Sequence, residues 1–205
     1  MFFPFKCLLK IEKKYKPYYD NQYPWQIIEL QVEIQTGIKN PFVFYYKNMS
    51  DWTLYHKKDM WNKVSESFIN NEDIKKTIYD PSITGFSLPP TYAFTGLTYN
   101  GTSTTNVNLF NVTGNWNSGY RFYSLGWKQG SIFFMNALGQ RSVWQSGSIS
   151  EKGLIAQNHI HGRYWIAGST SSEKTIFITI VSNYINPASD EVGKSWGATC
   201  LARKM

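Results

Sequence analysis

Between Pro81 and Ser150 the chain has no aspartate and no glutamate, a gap of seventy residues. Glycoside hydrolysis needs two carboxylates facing one bond, and calcium is held by carboxylate and carbonyl oxygens. Neither chemistry can draw its acids from this segment. Beyond it only Glu151, Glu173, Asp190 and Glu191 remain, all in polar, turn-like settings. Cysteine is equally scarce. Cys7 and Cys200 stand at opposite ends, neither with a second thiol at metal or redox spacing, which excludes a zinc knuckle or a C-x-x-C centre. A bridge between the two ends stays open, and the cysteine count leaves the compartment undecided. The serine run Gln145-Ser-Gly-Ser lacks the first glycine of a Gly-x-Ser-x-Gly elbow. No apolar run approaches the roughly twenty residues needed to cross a bilayer. The first residues do not read as an export signal either: Pro4 and Lys6 break the apolar run, and charges from Lys10 to Lys16 follow it.

What the chain has instead is rings and small polar side chains. Aromatic residues make up 17%, with 8 Trp and 14 Tyr, and hydrophobic residues at 42% outweigh charged ones at 17%, so a packed core is affordable. At 205 residues the length suits one domain, or one domain with an added arm. The net charge of +7 is unevenly placed. Residues 1–80 carry 12 lysines against 10 acids, whereas residues 81–205 carry 9 basic residues against 4 acids. Those nine, among them Arg121, Lys128, Arg141 and Arg163, are spread out rather than massed in a stripe. That spacing argues against nucleic acid as a partner.

Residues 1–24 are rich in Lys and Tyr, contain Pro4, Pro17 and Pro24, and read as an N-terminal arm or remnant. The run from Trp25 to Gln35 alternates apolar and polar through Ile28, Leu30, Val32 and Ile34, the pattern of a half-buried strand. Phe42–Tyr46 reads as a short second strand. After Pro89-Pro90, Thr91 is placed to cap a short helix running to Thr95. Further strands are expected at Tyr120–Tyr123, Ser131–Met135, Gly162–Ile166 and Thr175–Val181, the last being richest in β-branched residues. Ser195–Ala202 is a candidate returning edge strand. No repeat and no linker divides residues 25–205, which read as a single domain.

His159 and His161 form the one His-x-His pair. On a strand both rings would share a face, as a metal site requires. The pair stands before Gly162 in a loop-like context with no third ligand nearby, so no metal and no cofactor is expected. Asn48, Asn100 and Asn111 open Asn-x-Ser/Thr triplets, which an Asn- and Thr-rich chain produces by chance.

From Lys76 the string K-T-I-Y-D-P-S-I-T-G-F-S-L-P-P resembles the "D-P-C-P-x-G-aromatic-x-aliphatic-P" opening of the Fibrobacter succinogenes major paralogous domain. That domain is common at the C-termini of fimbrillin-family surface proteins of Bacteroidetes. The likeness continues in order. Phe110-Asn-Val-Thr-Gly is similar to its "F-N-V-S-G", and Ile132-Phe-Phe with Gly139-Gln-Arg141 to its "F-F-P-A-x-G-x-R". Ser146-Gly-Ser is similar to its "S-G-x-L" and Tyr164-Trp165 to its "Y-W-S". Val181-Ser-Asn-Tyr-Ile-Asn-Pro187 and Gly197-Ala-Thr follow its last two motifs. Asn40-Pro-Phe-Val-Phe-Tyr and the Asp51-Trp52 to Trp61-Asn62 region resemble the segment that precedes the domain, so the likeness spans about residues 25–203. Ser82 stands where the family often has cysteine, which would deprive Cys200 of a partner. The calcium triplets Glu-Pro-Asn and Trp-Asn-Asp of animal lectins are absent, as is the reactive cysteine pair of the related formylglycine-generating enzymes.

The resemblance implies an α+β, C-type-lectin-like domain with a small antiparallel sheet, two short helices and long ordered loops. Trp165 would be a core ring. The loops around Trp144, Asn158–His161 and Asn183–Tyr184 would lie on one displayed side, making Trp144, Asn158, His159, His161, Asn183 and Tyr184 the candidate ligand-binding residues. The function implied is a non-enzymatic module of a bacterial cell-surface or extracellular protein, adhesin- or fimbria-related, gripping a glycan or protein ligand. Two alternatives keep the fold: a retroelement-diversified or phage-type variable receptor-binding protein, and a structural paralogue or gene fragment without binding.

Overall fold

A computed structural model describes residues 26–29, 33–39, 43–46, 53–54, 60–62, 74–141, 155–169, 174–194, 197–201 and 203–204. These residues are mostly β-structure in small mixed and antiparallel sheets, with one α-helix of six residues. Strand β1 (Gln26–Glu29) runs parallel to β2 (Val43–Tyr46), and helix α1 (Ile34–Lys39) lies between them in sequence. The alternation that suggested a strand as far as Gln35 therefore ends in a helix at Ile34. Ile34 and Ile38 are also four apart, so the same residues satisfy a helical period, and parallel pairing requires a crossover between β1 and β2.

The central sheet has the order β11-β10-β9-β12. It comprises β9 (Gly162–Trp165), β10 (Lys174–Val181), β11 (Tyr184–Gly193) and the edge strand β12 (Thr199–Cys200), which pairs parallel to β9. Strand β10 is buried from Thr175 to Ile180, as an inner strand covered on both faces must be. Alternation along it divides two cores. Ile176, Ile178 and Ile180 join Tyr164, Ile166, Phe110, Tyr120 and Phe122 on one side. Phe177 joins Trp165, Trp61, Met60 and Leu88 on the other. Trp165, 3% exposed, sets its ring edge-to-face with Trp61 at 4.8 Å and with Phe177 at 4.3 Å. Trp165 is thus a core ring, as the resemblance implies.

The ten-residue β11 was not foreseen, because Pro187 speaks against a strand. The structure accommodates it at a bulge: Thr179 pairs with Asn186 but Phe177 with Asp190, leaving Pro187–Ser189 opposite Ile178 alone. A proline that cannot donate to the ladder belongs where the ladder is interrupted. The free edge of β11 is partly covered, since Thr104 exchanges two backbone hydrogen bonds with Ile185 at 2.9 and 3.0 Å.

A second sheet, β4-β5-β6, is built from β4 (Val112–Thr113), β5 (Gly119–Tyr123) and β6 (Ile132–Asn136). It buries Tyr120, Phe122 and Met135 in the first core. Two minor pairs complete the description: β3 (Phe86–Ser87) with β13 (Arg203–Lys204), and β7 (Gln140–Arg141) with β8 (Ile155–Ala156). The segment after Pro90 forms turns and a 3-10 helix at Thr95–Leu97 rather than an α-helix. It has only seven residues before Thr98 enters a bridge with Phe110, and the carbonyl of Gly96 accepts the Asn111 amide at 2.8 Å instead of a helical N–H. The resemblance implies two short helices; among the described residues the one α-helix is α1.

Three side chains fix the loops. Asp80, buried, accepts the N–H of Ser82 at 2.7 Å and that of Leu88 at 3.0 Å, closing the turn that leads into β3. The Lys76 ammonium donates to the carbonyls of Ser82, Ile83 and Phe86 from the same side. Asn111, 1% exposed, ties two further segments to its own. Its Nδ2 donates to the carbonyls of Gly96 (2.8 Å), Gly126 (2.9 Å) and Tyr123 (3.3 Å), and its Oδ1 accepts the Lys128 N–H at 2.7 Å. Burial also removes Asn111 from the list of plausible glycosylation acceptors.

Candidate functional site

The register of the central sheet brings two predicted loops to one end. Gly162 pairs with Ile180, so the turn before it, Gln157–His161, lies level with the Ser182-Asn183 turn that joins β10 to β11. Strand parity then settles the face. Tyr164 and Ile180 point into the first core, whereas Trp165 and Phe177 point into the second. Val181 and Tyr184, at the opposite parity from Ile180 and Ile185, therefore share the side of Trp165 and Phe177, and the approach of the His161 ring to the Arg163 side chain of β9 puts it on that side too. They form one row across three chain segments, with Val181 between His161 and Tyr184. At about 4.8 Å per strand, the imidazole and the phenol stand on backbones roughly 10 Å apart. One strand-pair inward on the same face, the Arg163 guanidinium lies 3.5 Å from His161 Nδ1 and 5.7 Å from the centre of the Phe177 ring.

The neighbouring turn is held by backbone rather than by packing. His159 donates its N–H to Ala137 at 2.7 Å, and Gly139 donates to the His161 carbonyl at 2.8 Å. Gln157 and His159 both take left-handed conformations, φ 58° and 66°, which a non-glycine residue holds only where its surroundings fix it. His159 is exposed and Asn158 half-buried. The opposite turn is anchored too, since the Tyr120 hydroxyl donates to the Ser182 carbonyl at 2.6 Å, leaving Asn183 exposed and Tyr184 half-buried. Five of the six candidate residues thus gather at one end of one sheet. Trp144 lies outside the described residues.

His159 and His161 do not sit on a strand as a pair, because the left-handed φ of His159 puts it in the turn. Among the described residues no group of three or more His, Cys, Asp or Glu side chains comes together as a metal site. Of the four acids after Ser150, Glu191 is exposed and pairs with Lys174 at 3.5 Å, while Glu151 and Glu173 lie outside the described residues. Cys200 sits half-buried against the second core, and Cys7 lies outside the described residues. A small recess lined by Trp61, Asn62, Ser169 and Lys194 has room for little more than a water. No helix of the described residues is long and apolar enough to cross a membrane.

Sequence reasoning missed one cluster. Tyr99 and Trp127, distant in sequence, meet edge-to-face with ring centres 5.0 Å apart, and the Lys128 ammonium lies 5.2 Å from the centre of the Trp127 ring. Leu125 in the same loop is exposed. The only sequence signal was Asn111 within Phe110-Asn-Val-Thr-Gly, whose amide reaches both neighbouring loops, and its tertiary partners cannot be read from spacing.

Comparison with family models, curated proteins and solved structures returns no match for this chain.

Proposed function

We propose that the chain is a non-enzymatic binding module, recognising a glycan or protein ligand with rings and amides held on stiff turns. One observation carries this reading: His161, Val181 and Tyr184 form a row on one face, flanked by the anchored His159 and Asn183 turns. An aromatic ring and an imidazole on either side of an aliphatic floor suit a flat, partly apolar ligand, with the amides of Asn158 and Asn183 and the Arg163 guanidinium supplying orientation. The turns are already fixed, one by backbone hydrogen bonds and the other by the Tyr120 hydroxyl, so little ordering entropy is lost on binding.

The resemblance to the major paralogous domain, and with it a lectin-like fold and a place on a bacterial surface, belongs to the same proposal. In its favour, the shared motifs fall where the fold depends on them. Asp80 closes its turn, Asn111 joins three segments, Tyr164-Trp165 supplies a ring to each core, and Gly197 lies where an added Cβ would come within 3.1 Å of the Arg141 side chain.

Binding to a glycan and protein array, with and without EDTA, tests the reading. The purified chain should retain a small set of ligands in EDTA, and Tyr184→Ala and His161→Ala should each lower that retention at least tenfold without changing the melting temperature. Retention unaffected by either substitution would refute the assigned face. Turnover of a retained sugar would refute the absence of catalysis.

A further inference from the structure

We propose that Tyr99, Trp127 and Lys128 form a second site, away from the residues assigned above, for a terminal sugar that carries a carboxylate. The loop joining β5 to β6 is closed by Ser124 donating to Ser131 at 2.9 Å and Leu125 donating to Gln129 at 3.0 Å. The buried Asn111 holds it to the body of the protein through Gly126 and Lys128. At Lys128 the backbone is left-handed, φ 52°, in a residue type that rarely adopts it. The loop is thus fixed in the conformation that presents its side chains.

Those side chains are not spent on the core. Tyr99 is 65% exposed although its ring touches Trp127, so the pair is open to an incoming ligand. The two ring planes are 77° apart. A floor of coplanar rings would fit a run of sugars along a chain; two rings nearly at right angles make a corner, which takes the end of a chain. The C–H face of a pyranose can lie on one ring while its rim abuts the other.

Charge selects the sugar. The Lys128 ammonium stands over the Trp127 ring with no carboxylate of the described residues paired to it. No acid occurs anywhere from Pro81 to Ser150, so nothing in that segment repels an incoming anion. A carboxylate on the stacked ring would complete the cation over the indole, a contact worth more than either group alone when partly desolvated. A neutral sugar would keep the stacking and lose the ion pair.

Ligand-observed NMR with methyl β-D-glucuronide, methyl β-D-glucoside and acetate, each added to the full chain at low salt, tests the assignment. The glucuronide should bind at least fivefold tighter than the glucoside, and acetate should not bind. Lys128→Gln should bring the glucuronide down to the level of the glucoside. Trp127→Ala should abolish both, and Tyr99→Ala, at a largely exposed position, should weaken both while leaving the melting temperature unchanged. Equal affinity for the two glycosides, or binding indifferent to Lys128→Gln, would overturn the ion pair; no binding of either at millimolar concentration would overturn the site. Because Tyr184→Ala leaves this corner untouched, loss of either site is read separately from the other.

Discussion

Replacing Asn111 with alanine removes two N–H donors, shared among the carbonyls of Gly96, Gly126 and Tyr123, and the acceptor of the Lys128 N–H. A typical net value of about 1 kcal/mol for each of these three groups would give about 3 kcal/mol; a carbonyl left buried without a donor adds to it and water reaching the more exposed ones subtracts, so the expected loss is about 2–4 kcal/mol. For a chain of this length that corresponds to a fall of roughly 4–16 °C in melting temperature. Asn111→Asp separates the donors from the acceptor. It preserves shape and the acceptor for Lys128, but turns a second oxygen toward three carbonyl oxygens. At neutral pH it should be at least as destabilising as alanine. Its folded-state pKa would be raised, because the charged form faces carbonyls. The loss is therefore largest above the ordinary aspartate range and shrinks as pH falls and the carboxyl regains a donor; the alanine variant shows no such recovery. Urea unfolding of the two variants at pH 7 and pH 5 measures both effects. An alanine variant within about 0.5 kcal/mol of the parent, or an aspartate variant whose deficit does not depend on pH, would refute the role given to this side chain.

Gly119 has φ 146° and an added Cβ would lie 2.2 Å from the Met135 carbonyl oxygen and 3.0 Å from Asn136 Cα, both backbone atoms that cannot give way. Gly119→Ala should cost about 3 kcal/mol or more, visible as lost soluble yield or a large fall in melting temperature; a variant that melts like the parent would contradict the pairing of Gly119 with Asn136. The Tyr164 hydroxyl is buried and donates to the Asn136 carbonyl at 2.5 Å, and burial pushes its pKa well above the ordinary tyrosine value. Burial moves Tyr120 in the same direction. Above about pH 10 the unfolded chain releases these protons while the folded one keeps them, so stability falls as pH rises. Tyr164→Phe should flatten that alkaline decline while costing about 1 kcal/mol at neutral pH; an unchanged slope between pH 9 and pH 11 would rule out this tyrosine as its source.

Much of the second half was legible because period-two patterns and β-branched runs report burial directly. Tyr120–Tyr123, Ser131–Met135, Gly162–Ile166 and Thr175–Val181 all fall on strands within a residue or so of the expected ends. The misses have local causes. Ile34 satisfied two periods at once, and only the tertiary crossover chose the helix. Pro187 hid β11 because a bulge, not visible in one strand alone, made room for it. The helix expected after Pro90 is replaced by successive three-residue turns, Ala93 to Pro90, Thr95 to Tyr92 and Leu97 to Phe94. Gathering the His159 and Asn183 turns at one end depended on the two-residue connection Ser182-Asn183, which is short enough to be read from sequence once both strands are known. The Tyr99–Trp127 contact was not legible, because it joins loops whose approach is set by a buried amide.

Strand β10 contributes isoleucines to one core and Phe177 to the other, with Tyr164 and Trp165 doing the same from β9. Each core thus uses the backbone of these two strands as a shared wall. Stripping away either set of side chains would expose the reverse side of the same hydrogen-bonded ladder, so neither half has a separate melting point to reach first. The two halves of the molecule are bound to open as one cooperative unit, and amide protons on Ile176, Phe177 and Ile178 should be among the last to exchange with solvent.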